Sequence, residues 1–365
     1  MKITDVRAVQ RDVPQGPTPS HDAGFVVPPH SLAPWGYVEL LTDEGVTGFC
    51  PAAATPSVVE GPLKRMLVGE NPLEVERIWS RMWQGWRHPK MDELLTISKV
   101  DVAVWDLAGK ALGQPVWRLL GGARRRVRTY GAGGMYRQGK GVPELVEEML
   151  GFVEDGFRAV KLKVGWLPFD EDVERVGAVR EAIGAGVDLM IDANHAWLPH
   201  EAIRFARAVE RYGIYWLEEP VDPWDHRGCA EVARAIDVPV ATGENVGSRY
   251  LWRDIVDARA CDILNADALY CGGVTEWRKI AAYAAAHSLP IAPHGSGHVH
   301  AHLVGGVPNG LIVEVGLYQG RRPARPPIVE PLRISDGHID LTDEPGFGWR
   351  IDRDAIEWYL KQDWA

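Results

Sequence analysis

Four cysteines in 365 residues, with no C-x-x-C pair among them, remove two classes of protein at the outset. Cys50, Cys229, Cys261 and Cys271 are scattered. Neither a disulfide framework nor a cysteine zinc site is expected, and the four read as reduced, buried thiols of a cytoplasmic protein. No stretch approaches the roughly 20 apolar residues of a membrane span. The start, Met1 to Val9, alternates like a strand and lacks the apolar core of a secretory signal. Basic charge is short: 40 Lys and Arg face 50 Asp and Glu, a net charge of −10. That argues against nucleic acid or an anionic membrane as partner. A small anionic ligand is still compatible, because a bound cation reverses the field locally. A glycine-rich phosphate loop is also missing. Tyr130-Gly131-Ala132-Gly133-Gly134 has glycines without the G-x-G-x-x-G spacing.

What is present is globular: 46% hydrophobic and 25% charged residues, which excludes disorder as a description of the whole. The length allows one large barrel or two domains. Fifteen tryptophans are many for this length; most should be packing, with a few on loops free to wall a pocket.

Residues 1–125 read as strands first and helices after. Met1–Val13 and Gly36–Phe49 alternate, the second interrupted by the turn Thr42-Asp43-Glu44-Gly45. Pro14–Pro34 between them has no helical period and reads as a loop, long enough to be functional. Helical patterns follow near Pro56–Val68, Pro72–Gln84 and Leu94–Leu112, the last ending at Gly113. From Arg126 the pattern changes to strand, helix, strand, helix. Apolar runs at Val127–Tyr130, Ala159–Val164, Val187–Ile191, Ile214–Leu217, Val238–Thr242, Cys261–Asn265, Leu289–Ala292 and Leu311–Val315 make eight strand candidates. That favours an α/β barrel over a doubly wound sheet. The tail from Pro331, with turns at Ser335-Asp336-Gly337 and Glu344-Pro345-Gly346, reads as short strands returning to the first domain.

Charged residues recur at the carboxyl ends of these runs. Glu218 stands 26 residues after Asp192, and Glu244 26 after Glu218, about one β/α repeat each time, so the three should share one height on adjacent strands. Singly, each would read as a helix cap or ion-pair partner. Three converging carboxylates cannot all stay ionised without a cation, and all-oxygen ligation favours Mg²⁺ or Mn²⁺. Lys161 and Lys163 alternate on the second strand and point to one side, where each should depress the other's pKa toward that of a base. His294 ends the seventh strand and Asp267 the sixth, suggesting an Asp–His dyad. His298, His300 and His302 tempt a zinc reading with His294. On a helix, alternate residues do not face one point.

Taken as a set, these segments resemble the enolase superfamily, and within it the mandelate racemase subgroup. The likeness rests on Lys161-Leu162-Lys163-Val164-Gly165, Ile191-Asp192-Ala193-Asn194, Trp216-Leu217-Glu218-Glu219-Pro220 and Gly243-Glu244-Asn245. It extends through Asp267 with Cys271-Gly272-Gly273-Val274-Thr275-Glu276, Ala292-Pro293-His294-Gly295, Glu314-Val315-Gly316 and Glu344-Pro345-Gly346-Phe347-Gly348. The resemblance implies a (β/α)₇β TIM-like barrel over 126–320. It also implies an α+β capping domain over 1–125, joined by a C-terminal segment, 321–365. Asp192, Glu218 and Glu244 would hold Mg²⁺. Lys163, tuned by Lys161, would be a base on one face of the α-carbon, and His294 with Asp267 the acid or base on the other. Glu314 would hydrogen-bond the substrate carboxylate. This superfamily is a worked case of enediolate stabilisation by Mg²⁺ with a Lys or His base.

No lysine occurs between Asp262 and Asp267, which argues against the muconate-lactonising and dipeptide-epimerase activities. The activity so implied is dehydration of an acid sugar to a 2-keto-3-deoxy acid, with racemisation, epimerisation or lactone cycloisomerisation as the alternative. A metallohydrolase would want histidines in Arg126–Tyr130, and a non-catalytic binding protein leaves Lys163 and His294 unexplained. His21, His30, Trp35 and Trp166 are candidates for the substrate's distal end, and Asn194 and His195 for its hydroxyls. The loops Pro14–Pro34 and Cys50–Val58 should close over the mouth. The expected partner is a hydroxy-carboxylate, and the expected assembly a homo-oligomer, from dimer to octamer.

Overall fold

In the computed structural model, the described residues are 1–14, 20–21, 26–27, 32–86, 89–295, 297–316, 328–329 and 332–361. The alternating first segment forms β1 (Ile3–Pro14), antiparallel to β2 (Leu32–Thr42), with Ile3 opposite Thr42 and Pro14 opposite Leu32. A turn at Gly45, with φ of 78°, returns the chain as β3 (Thr47–Cys50). Helices α1 (Val75–Gln84) and α2 (Met91–Ala111) follow, and Val38, Leu40 and Phe49 are buried with Ile97, Val104 and Leu107 of α2 in one core. The helix expected over Pro56–Val68 is instead three short pieces, Pro56–Val58, a π-turn at Val59–Leu63 and Lys64–Leu67. Pro62 inside it has no N–H to give an α-helical ladder. Part of the long loop is ordered: Ser20–His21 pairs with Val26–Val27 and with Tyr136–Arg137, just beyond the first barrel strand.

The barrel strands are β4 (Arg126–Ala132), β5 (Ala159–Lys163), β6 (Asp188–Asp192), β7 (Ile214–Glu218), β8 (Val240–Thr242) and β9 (Ile263–Leu264), each parallel to the next. The seventh position, read as Leu289–Ala292, is reduced to a bridge at Ile291 between Leu264 and Gly310. Pro290 and Pro293 flank it, and proline cannot donate to a ladder. Then β10 (Val313–Gly316) pairs with β4 and closes the ring. Helices α3 (Val142–Glu154), α4 (Phe169–Ile183), α5 (Pro199–Val209), α6 (His226–Ala235), α7 (Arg249–Asp257), α8 (Val274–Ala286) and α9 (Gly297–Gly306) follow the first seven positions. This is the (β/α)₇β order.

The tail divides its attention. Strand β4 meets β5 only at Gly131 and Ala132, leaving the edge at Arg126–Arg128 open. The hairpin of β11 (Ile334–Ser335) and β12 (His338–Asp340) fills it, with Ile339 opposite Val127. An unpaired edge is a liability that chains cover. This first part of the tail therefore adds to the barrel, where a return to the first domain was expected. Beyond Pro345 the chain does join the cap. Phe347 N–H donates to Asp106 Oδ1 at 3.0 Å, Trp349 packs edge-on to Phe49, and Arg353, at the start of α10 (Arg353–Lys361), pairs with Glu39.

Candidate active site

Inside the barrel, Tyr130, Ala159, Met190, Trp216, Ala241, Ile263, Ala292 and Ile312 form a closed plug. Side chains on a strand recur on one face every second residue. Two steps on from Ala159 stand Lys161 and then Lys163. One step of two from Met190, Trp216, Ala292 and Ile312 leads to Asp192, Glu218, His294 and Glu314. The plug excludes water below, and the charged groups crown it.

Asp192, Glu218 and Glu244 each offer an oxygen within 4.8 Å of the others. Lys161 Nζ lies 2.7 Å from Glu218 Oε1, 3.1 Å from Glu314 Oε2 and 3.2 Å from Asp192 Oδ2. Lys163 Nζ donates to Asp192 Oδ2 at 2.7 Å. At the other end of the triad His294 Nε2 is 3.5 Å from Glu244 Oε2, and its Nδ1 is 3.2 Å from Asp267 Oδ2. The eight residues form one charged network, with Lys163 at the Asp192 end and His294 at the Glu244 end.

The electrostatics depart from expectation at one point. Burial lowers the pKa of both lysines, but Glu218 and Glu314 hold Lys161 well above its usual value, and Asp192 does the same for Lys163. The mutual repulsion expected to produce a depressed amine is outweighed by these carboxylates, which lie 2.7 to 3.2 Å from the two amines. Burial pushes Glu218 up to about 8 and Glu244 up to about 7, while Lys163 and Lys161 overcome the burial of Asp192 and hold it low. His294 is held well above its usual value, Glu244, Glu314 and Asp267 together overcoming its burial. The resemblance implied that Glu314 donates to a substrate. Here Lys161 and His294 outweigh burial and hold it low, as a carboxylate accepting from Tyr130 Oη at 2.7 Å.

The donor set suits a hard divalent cation: three carboxylates, no sulfur, no imidazole within the triad. Glu244 Oε2 is buried and accepts no hydrogen bond among the described residues. A buried carboxylate oxygen without a donor is costly unless something else occupies it.

Three participants were not read from the sequence. Tyr130 holds Glu314 and lies under the Lys161 ammonium, 5.6 Å from ring to nitrogen. Its position at the end of the first strand run was the available signal. Glu219 is fully buried, with Oε2 2.9 Å from His195 Nε2. His300, set aside with the other helix histidines, accepts from Ala268 N–H at 3.0 Å through Nε2, which is also 3.3 Å from Asp267 Oδ1. Nothing in spacing points to it; only the α9 backbone brings it there. His298 instead meets Phe347 O at 2.9 Å, and His302 Nδ1 accepts from Trp117 N–H.

Among the substrate candidates, Asn194 and His195 sit at the triad on left-handed backbone, with φ of 39° and 67°. Such backbone in non-glycine residues is strained and clusters at functional sites. Asn194 Oδ1 is buried without a hydrogen bond among the described residues. Trp166 is 46% exposed on the loop after β5. Trp35 packs edge-on to Tyr37 in the cap sheet. His21 pairs through its backbone with Tyr136, and His30 lies outside the described residues.

The cap is fastened to the loop that carries Asp267. Ser98 Oγ accepts from Gly272 N–H at 2.9 Å, and Trp79 Nε1 donates to Gly272 O at 2.7 Å. Asp101 accepts from Thr275 N–H and Thr275 Oγ1, both at 2.8 Å. Gly273, with φ of 93°, packs where a Cβ would fall 2.4 Å from Asp101. The Gly272-Gly273-Val274-Thr275 stretch is thus a docking surface for α2.

Comparison with known proteins agrees with this geometry. Residues 17–121 match the mandelate racemase/muconate lactonizing enzyme N-terminal domain, and residues 144–355 the enolase C-terminal domain-like family. The arabinonate dehydratase of Saccharolobus solfataricus is 32% identical over 87% of this chain and 88% of its own. The 3,6-anhydro-alpha-L-galactonate cycloisomerase of Streptomyces coelicolor is 35% identical over 83% of each. Among solved structures, a Streptomyces coelicolor racemase with bound magnesium superposes with a TM-score of 0.87 at 30% identity, covering 98% of this chain and 99% of that one. L-talarate/galactarate dehydratase from Salmonella typhimurium, liganded with Mg and L-lyxarohydroxamate, also gives 0.87 at 30%, covering 98% and 92%. A cap of both chain ends over a (β/α)₇β barrel, with both family models matched, makes this chain a member of the mandelate racemase/muconate lactonizing enzyme family within the enolase superfamily.

Proposed function

We propose that this enzyme is a Mg²⁺-dependent acid-sugar dehydratase. The observation that carries the reading is the carboxylate triad with Lys163 at one end and the His294–Asp267 pair at the other. Asp192, Glu218 and Glu244 would hold the cation, which supplies the positive charge that makes a proton beside a carboxylate acidic enough to remove. Once Asp192 is engaged elsewhere, Lys163 loses the partner that keeps it protonated and serves as the base. His294, kept protonated by Glu244 and Asp267, gives its proton to the departing 3-hydroxyl. Glu314, gripped by Tyr130, would lie beside the substrate carboxylate, and the Lys161 ammonium next to it would offset the charge that builds there. The resulting enol becomes a 2-keto-3-deoxy acid. The buried plug beneath keeps water from quenching the developing charge.

A lactone cycloisomerase is the second reading, favoured by two relatives named cycloisomerases at 35% and 34% identity, the second of them a galactarolactone enzyme. It shares the α-proton chemistry and differs in product. The deciding experiment offers acid sugars and their lactones in deuterated buffer, with Mg²⁺ or with excess chelator. The dehydratase reading expects 2-keto acid and no activity in chelator. Isomerised lactone without keto acid would transfer the assignment to the cycloisomerase, and full activity in chelator would remove the metal. The proposed homo-oligomer is checked by light scattering on the same preparation.

A further inference from the structure

His300 lies on α9, fully buried, and both of its ring nitrogens are engaged by backbone. Nε2 accepts from Ala268 N–H at 3.0 Å, and Nδ1 lies 2.6 Å from Gly295 O, a carbonyl that can only accept. A ring that accepts at one nitrogen and donates at the other is the neutral imidazole with its proton on Nδ1. Nε2 is also 3.3 Å from Asp267 Oδ1, but that is the longer contact, and Leu269 N–H already donates to this oxygen at 2.7 Å. The other carboxylate oxygen, Oδ2, is left facing His294 Nδ1 at 3.2 Å. The two backbone groups that His300 holds have a pattern. Ala268 follows Asp267 in the chain and Gly295 follows His294, so one side chain ties together the neighbours of both members of the pair.

The clamp stands where the barrel's ladder is thinnest. The seventh strand is a single bridge at Ile291, and beyond it His294 N–H reaches Asn265 O only at 3.4 Å. A full ladder would fix the height and aim of a residue at its end. Here side chains do so: Asn265 Nδ2 donates to Ala292 O at 2.9 Å before His294, and His300 meets Gly295 O after it. Lys163, at the other end of the triad, is held separately from α4. Its carbonyl accepts from Arg175 Nη2 at 3.3 Å, and Asp172 Oδ2 accepts from Gly165 N–H at 2.7 Å. We propose that His300 is a positioning residue for the His294–Asp267 pair, setting the aim of the His294 ring from a fully buried place behind it. This rests on the reading of His294 above and names the group that keeps it in register.

The test uses the full chain with Mg²⁺ and an acid sugar that wild type turns over, and compares His300→Leu and His300→Asn with His294→Asn. Two signals are read: product release, and deuterium entry at the α-carbon of the epimer that Lys163 addresses. His300→Leu should lose the same signal that His294→Asn loses and keep the other within about twofold. The loss should be about 10- to 100-fold in kcat with KM little changed, since a displacement near 1 Å suffices for it. Asparagine can still donate to Gly295 O but is too short for Ala268 N–H, so His300→Asn should recover part of the lost kcat. A role in packing alone would lower both signals together. That result, an asparagine variant as damaged as the leucine one, or a His300→Leu indistinguishable from wild type would each overturn the proposal. If circular dichroism shows that His300→Leu does not fold, His300→Asn decides: unequal loss of the two signals supports the clamp, and equal loss or none overturns it. All of these outcomes leave the acid-sugar chemistry standing. A wild type that exchanged no α-proton and released no product from any acid sugar would remove the parent reading, and the role of His294 with it.

Discussion

Replacing His294 by asparagine removes a proton donor but leaves Lys163, the triad and Glu314 in place. Keto-acid formation should stop, while deuterium still enters the α-position of the epimer that Lys163 addresses. Lys163→Ala should instead abolish that exchange. Losing a general acid or base costs roughly 10² to 10⁴ in rate, so proton NMR resolves both outcomes. Swapped phenotypes would make His294 the base. His195 permits a separate check through pH. Burial alone would lower its pKa, but the hydrogen bond and charge of Glu219 raise it to about 9. A group whose folded pKa is raised stabilises fully below its unfolded value, near 6.5, and loses that contribution as pH climbs through about 9. In excess chelator, the melting temperature should therefore decline between those limits, and His195→Gln should flatten the decline. An unchanged profile in the variant would show that the pair with Glu219 contributes nothing. Both residues were readable as candidates from their places after apolar runs. Glu219, the partner of His195, and His300, which meets Asp267 behind His294, were not, because a buried carboxylate beside another, or a histidine inside a helix, looks the same in sequence whatever it faces.

Helix α2 was legible as a helix from the spacing of Ile97, Val100, Val104 and Leu107, and its end from Gly113. Its role as the fastening between cap and barrel was not, since that depends on polar residues at Ser98 and Asp101 meeting a loop 174 residues away. Strand seven shows the opposite failure. Leu289–Ala292 has strand composition, yet two prolines reduce it to one bridge, and closure of the ring around it preserves the position of His294. The fastening yields a prediction at this scale. Asp101→Ala leaves the Thr275 N–H and hydroxyl without their buried acceptor, which should cost about 2–4 kcal/mol and loosen the loop bearing Asp267. Melting temperature and kcat should both drop. Asp101→Asn should be milder, because burial already pushes the Asp101 carboxyl up to about 7, so a neutral group at this site is tolerated. Equal damage from both variants would mean that charge, not hydrogen bonding, holds the seam.

Across the whole molecule, alternation of strand and helix patterns made the barrel legible, and the 26-residue repeat of acidic residues made its working end legible. The route of the tail was less so, because whether a hairpin adds to a barrel edge or to a cap sheet depends on which edge is open, and pairing register is invisible in a linear pattern. Its last part closes the cap: Asp106 accepts from Phe49 N–H at 2.9 Å and from Phe347 N–H at 3.0 Å, joining residues nearly 300 apart in the chain. A chain shortened to end at Leu341 should keep the barrel but lose cap packing. Near-ultraviolet circular dichroism should lose the aromatic signal that Phe347 and Trp349 create beside Phe49, and the melting temperature should fall. An unaltered spectrum would show that the cap is complete without the tail.

That closure also orders events in time. As the chain is synthesised, the cap's strands and α2 emerge before the barrel, yet the backbone donor of Phe347 and the ring of Trp349 that complete their core come after it, Phe347 standing 241 residues beyond Asp106. The barrel waits as well, since the edge of Arg126–Arg128 is filled only when His338–Asp340 appears. Domains in general fold as units while the ribosome is still at work. Here the cap segment cannot finish until the stretch around Phe347 and Trp349 has been made, so the growing chain carries an unsealed apolar face while the whole barrel is synthesised, and sealing it stitches together parts of the chain that the barrel separates.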